Sequence, residues 1–201
     1  MRTAIILCGG RSARFGRDKT LLKINGSLMI ERVIDRASRV VDEIVIAARD
    51  PEQKESLEEV LRVRNGVEVM IVCDSIVGYG PVAGILAGLL ASKSKYSVCL
   101  ACDLPHINSD AIDALFECAT GHDAAIPQHR NGMLETLYAI YGRPMITACR
   151  DAMKNEEHTI RSAIYAMDEV LFVPTESLRR FDSDLRMFLN VNYPEDLGTV
   201  V

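Results

Sequence analysis

Four short apolar runs govern what this chain can become: TAIILC at 3–8, EIVIAA at 43–48, VEVMIVC at 67–73 and YSVCLAC at 96–102. Several are apolar at nearly every position, the pattern of strands in a parallel sheet covered on both faces. Stretches of helical periodicity lie between them. In 28–41, Ile30, Val33, Ile34, Ala37 and Val41 fall on one face. Segments 51–63, 81–92, 109–119 and 144–154 also read as helices, with Pro51, Pro81 and Pro144 at first-turn positions where no N–H is missed. Such alternation predicts a three-layer α/β fold with a mostly parallel sheet. Further strands are expected at 123–127, 134–142 and 167–173. The first two, joined by the polar QHRNGM, read as a hairpin-like excursion that places one antiparallel strand in the sheet.

With 201 residues, 48% of them hydrophobic, the chain suffices for one domain with a well-buried core. A net charge of −5 argues against broad binding to nucleic acid or a membrane surface. Positive charge is instead concentrated between Arg11 and Lys23, which suits a small anionic ligand. No secretory leader pattern and no run of transmembrane length is visible, so a cytoplasmic location is expected. The six cysteines lie mostly in apolar segments and read as reduced core residues. Cys99 and Cys102 have CxxC spacing, but their odd offset within a strand points them to opposite faces.

In an open α/β sheet, ligands bind at the carboxyl ends of the strands. After the first strand comes CGGRSARFGRDK, residues 8–19. It is neither a Walker A loop nor GxGxxG, because Gly9 and Gly10 are adjacent. Its glycines let backbone N–H groups approach phosphate oxygens, while Ser12, Arg14 and Lys19 add donors and full charges. Asp74 and Asp103 each end an apolar run and are candidates for a ligand or a hard cation such as Mg²⁺. Gly80-Pro81 opens the helix at 81–92, and Gly84 and Gly88 suit close packing of that helix.

These stretches resemble the molybdenum cofactor guanylyltransferases. Leu7 to Lys19 is similar to that family's L-A-G-G-x-S-x-R-M-G-x-D-K, and Gly80 to Ile85 (GPVAGI) to its G-P-L-A-G-I. Cys102-Asp103-Leu104-Pro105 matches C-D-x-P, Glu135 to Tyr141 resembles E-P-L-x-A-x-Y, and Asn190 to Leu197 resembles N-x-N-t-P-E-D-L. The resemblance spans the chain. It implies a Rossmann-like nucleotidyltransferase domain with a GTP-binding half to about residue 105 and an acceptor-binding half over about 106–197. Leu7, Cys8 and Gly9 would then meet the nucleotide through backbone atoms. Gly10, Ser12, Arg14 and Lys19 would hold its phosphates, Asp74 would contact the nucleotide, and Asp103 would bind Mg²⁺. Asn190 and Asn192 would lie near the pterin acceptor, with Arg14, Lys19 and Asp103 as catalytic groups and Gly80 at the ligand edge. The substrates implied are GTP and a molybdopterin-type cofactor, with transient contact to cofactor-handling proteins or recipient enzymes.

Departures from the pattern are Cys8 for Ala, Phe15 for Met, Thr136 for Pro, and Ala48-Arg49 where an Asn-Arg pair is usual. None removes a charged phosphate or metal group. Related transferases that use cytidylyl donors, or cobinamide phosphate or phospholactate acceptors, share the basic loop and the metal aspartate. A non-catalytic GTP-binding relative is the alternative of a different class.

Overall fold

The computed structural model describes residues 1–8, 19–24, 26–61, 67–73 and 79–191. β1 (Arg2–Leu7) is followed by a small antiparallel ribbon, β2 (Lys23–Ile24) with β3 (Ser27–Leu28), and then by α1 (Met29–Ala37). Next come β4 (Glu43–Ala48), α2 (Pro51–Val60), β5 (Glu68–Cys73), α3 (Pro81–Ala91), β6 (Tyr96–Ala101) and α4 (Ser109–Cys118). The chain continues through β7 (Ala124–Gln128), β8 (Tyr138–Gly142), α5 (Pro144–Lys154), α6 (Ile160–Tyr165) and β9 (Val170–Pro174). All three prolines open their helices as the sequence predicts, because a residue with no N–H to satisfy fits the first turn.

Seven strands form one sheet in the order β5-β4-β1-β6-β8-β7-β9. Its neighbours pair in parallel except where β8 meets β6 and β7, so β8 is the reversed strand that the hairpin reading anticipates. Alternation along β1 sends Ala4 and Ile6 into one core with Ile30, Leu57 and Ile112. Ile5 and Leu7 enter the other core with Val82, Ile85 and Met145. Helices α1, α2 and α4 thus cover one face, and α3, α5 and α6 the other. Gly88 lets α3 lie close: a Cβ there would stand 2.3 Å from Ile5 Cγ2. The pair Cys99 and Cys102 divides between the two cores, and all six cysteines are free thiols.

The expected strand at 134–142 begins only at Tyr138. Leu134 still bridges Gln128 antiparallel, through the Glu135 N–H to the Pro127 carbonyl (2.9 Å) and the His129 N–H to the Met133 carbonyl (2.8 Å). The Tyr138 N–H, however, donates to the Glu135 carbonyl (3.2 Å), a turn that takes 135–137 out of the ladder. The expected helix at 28–41 ends at Ala37, where Ser38 follows as its cap. Among the described residues, no helix is long and apolar enough to cross a membrane.

The two ends of the sheet differ. At the amino ends, Thr3 Oγ1 donates to the fully buried Glu43 (2.8 Å) and meets Ser92 (2.9 Å) and Ser94 (2.7 Å), closing that edge with polar groups. At the carboxyl ends a crevice stays open between β1 and β6. The chain leaves β1 toward β4 but leaves β6 in the opposite direction toward β7, which makes this the place where the topology receives ligands.

Candidate functional site

The crevice forms a cavity of about 270 Å³ whose walls include Leu7, Asp103, Glu135 and Asn190. Three residues singled out from sequence therefore meet: Leu7 at the end of β1, Asp103 just past β6, and Asn190 near the end of the described chain. Backbone hydrogen bonds carry the alignment past the strands. The Cys102 N–H donates to the Leu7 carbonyl (3.1 Å), and the Cys8 N–H to the Ala47 carbonyl (3.0 Å). Asn190 arrives because its neighbour Val191 donates its N–H to the Asp103 carbonyl at 3.0 Å.

The segment after Asp103 is fixed from beneath by Tyr138. Its hydroxyl donates to the Asn108 carbonyl and accepts from the Asn108 N–H, both at 3.0 Å. Burial pushes the phenol well above its ordinary range, so it remains a neutral donor and acceptor. The ring meets Phe188 edge-on at 5.0 Å. Asp103 itself is half-buried. Its carboxylate oxygens suit a hard divalent cation whose other ligands are water and substrate phosphate.

Entry to and exit from the glycine-rich segment are joined by a residue that the sequence reading passed over. Gln53, 4% exposed on α2, donates from Nε2 to the Cys8 carbonyl (3.0 Å) and the Thr20 hydroxyl (3.3 Å). Its Oε1 accepts the Arg49 N–H at 2.8 Å. Gln53 sits where it does because Asp50 caps α2, accepting the Gln53 N–H at 2.7 Å. That bond, with the Arg49 guanidinium, holds the Asp50 carboxyl below its usual range. In sequence, Gln53 is one polar residue among several on an exposed-looking helix; only its proximity to β1 reveals the role.

Gly80 takes φ 65° and ψ −151° before Pro81, a backbone state essentially reserved for glycine. It caps α3 but is not among the residues lining the cavity. Cys8 is buried one residue beyond Leu7, at the mouth of the glycine-rich segment. Of the other candidates, Lys19 opens a 3₁₀ turn, Lys19–Leu21. Gly9, Gly10, Ser12, Arg14, Asp74 and Asn192 lie outside the described residues. Glu135 and His129 were not singled out from sequence as site residues. They are joined at 2.6 Å, and the resemblance to E-P-L was the available signal for the former.

A mostly parallel sheet with a basic glycine-rich segment after its first strand and an aspartate across the crevice defines the nucleotidyltransferase class. Comparison narrows this. The model of the MobA-like NTP transferase domain matches residues 4–170. A relative from Methanosarcina mazei, named "Probable molybdenum cofactor guanylyltransferase", is 40% identical over 100% of this chain and 90% of its own. The molybdenum cofactor guanylyltransferase of Desulfosudis oleivorans is 34% identical over 97% of this chain and 92% of its own. Among solved structures, molybdopterin-guanine dinucleotide biosynthesis protein A from Archaeoglobus fulgidus superposes with a TM-score of 0.83 at 29% identity, covering 100% of this chain and 96% of the other. The chain belongs to the MobA-like NTP transferase family.

Proposed function

We propose that this protein transfers GMP from GTP to a molybdopterin-type cofactor, giving the guanine dinucleotide cofactor and pyrophosphate. The observation that carries the reading is the convergence of Leu7, Asp103 and Asn190 on one crevice, within a full-length relationship to guanylyltransferases. An acceptor phosphate oxygen forms a bond to the α-phosphorus of GTP, and the bond from that phosphorus to the β-phosphate bridging oxygen breaks. The acceptor phosphate is already ionised, so no protein base is needed. Catalysis then consists of positioning and charge stabilisation. Backbone groups of the glycine-rich segment, with Ser12 and Arg14, hold the donor phosphates. Lys19 and Arg14 face the charge that builds on the leaving pyrophosphate. Asp103 would hold a bound Mg²⁺, which supplies neutralisation of phosphate charge. The strands up to β6 serve the donor, and the region beyond Asp103, with Asn190 and Asn192, serves the acceptor.

Lys19→Ala and Asp103→Ala are expected to lower product formation at least a hundredfold, about 2.7 kcal/mol in barrier. The assay supplies GTP, Mg²⁺ and metallated pterin cofactor and identifies the product by mass. Folded variants with near-normal turnover would exclude the assigned roles. A parent protein that binds GTP yet releases no pyrophosphate with this acceptor would exclude the reaction.

A further inference from the structure

Glu135 is held on three sides. Its N–H and carbonyl are tied to Pro127 and Tyr138, and its Oε1 lies 2.6 Å from His129 Nε2. An ionised carboxylate only accepts, so this contact puts the imidazole proton on Nε2. His129 is fixed in turn. Its N–H donates to the Met133 carbonyl (2.8 Å), its ring stands edge-on to Phe188 at 5.7 Å, and its Nδ1 lies 3.5 Å from the buried Thr175 hydroxyl. Oε2 of Glu135 has no hydrogen-bond partner among the described residues.

This carboxylate lines the same cavity as Asp103, but from the connection between β7 and β8. Strand order puts that connection beyond β6, while β1 and β5, the strands that the glycine-rich segment and Asp74 follow in sequence, lie on the opposite side. Because both residues line this cavity, an acceptor that brings its phosphate to Asp103 can present its head group to Glu135. With Oε2 unpartnered and a second lone pair left on Oε1, a carboxylate oriented in advance is the complement of paired N–H donors.

We propose that Glu135, positioned by His129, selects the acceptor by accepting hydrogen bonds from the ring N–H and exocyclic amino group of its pterin. This rests on the acceptor class assigned above. The competing role, a second oxygen ligand for a cation beside Asp103, makes a different prediction.

The test uses the fluorescence of 6-hydroxymethylpterin phosphate and its lumazine counterpart, in which a carbonyl replaces the amino group. Each is titrated into the full-length protein with Mg²⁺ and α,β-methylene GTP. The parent should favour the pterin at least about tenfold, and Glu135→Gln should bring the two ligands within about threefold, because an amide cannot accept from both donors as a carboxylate does. Affinity for the GTP analogue and melting temperature should stay at parental values. His129→Gln should reduce the preference part-way. The inference is overturned if the parent shows no pterin preference, if Glu135→Gln keeps it, or if that variant changes Mg²⁺ dependence while preserving it. Product analysis with GTP tests the transfer reaction separately, so the two failures are distinguishable.

Discussion

Replacing Gln53 with methionine keeps its length and removes three side-chain hydrogen bonds: to the Cys8 carbonyl, the Thr20 hydroxyl and the Arg49 N–H. All three lie at a position 4% exposed, where water cannot easily substitute. At about 1 kcal/mol for each net bond, with some excess for the polar groups left behind, the expected cost is about 2–4 kcal/mol. For a chain of this length that lowers the melting temperature by about 5–15 °C. The functional effect should be selective, since Cys8 and Thr20 flank the segment to which we assign the donor phosphates. The KM for GTP should rise by about tenfold, more than the KM for the acceptor changes. Gln53→Glu retains an acceptor for the Arg49 N–H but places a carboxylate against the Cys8 carbonyl, so it should not rescue. Thermal denaturation and initial-rate kinetics decide the matter. A melting temperature within about 2 °C of the parent, with an unchanged GTP KM, would refute the role of Gln53 as the tie between the segment's two ends.

Gly88→Ala should cost about 1–3 kcal/mol in chemical denaturation, because its methyl group enters Ile5 Cγ2 at 2.3 Å and α3 must move off β1. Parental stability would mean that Ile5 yields without strain. Stability should also depend on His106, whose pKa is lowered first by burial and then by Arg186 and Arg36. The unfolded chain binds this proton more readily, so the neutral-form advantage is complete above about pH 6.5 and is lost as pH falls from there through the folded value. His106→Gln should flatten this part of the stability curve, and an unchanged acid slope would assign it to other groups.

The elements legible in the sequence are those whose local signals agree with their tertiary setting. Pro51, Pro81 and Pro144 mark helix starts because the backbone constraint acts regardless of packing. The continuous apolar runs mark strands because both sheet faces are buried. Leu134 does bridge Gln128, but the run after it misleads because its alternation also suits a tight turn, which the Tyr138 N–H closes on the Glu135 carbonyl. The ribbon β2–β3 is too short for any period to register, and α6 has only six residues. The place of Asp103 just past β6 is legible because the apolar run before it marks the strand. The roles of Gln53 and the His129–Glu135 pair are not, because their meaning comes from partners brought together by the sheet.

The reversal of β8 has an evolutionary consequence. A parallel strand at that position would need a long crossover, and its connection would return across a covered face. Because β8 runs backwards, nine residues from His129 to Leu137 suffice to leave the sheet at its carboxyl edge and re-enter it. They carry one wall of the cavity, and none of them pairs with β1 in the sheet. This stretch can be exchanged, lengthened or recoded with the pairing of β1, β4 and β5 left in place, the strands to which we assign the donor. One sheet can thus serve many acceptors by rewriting a single short passage.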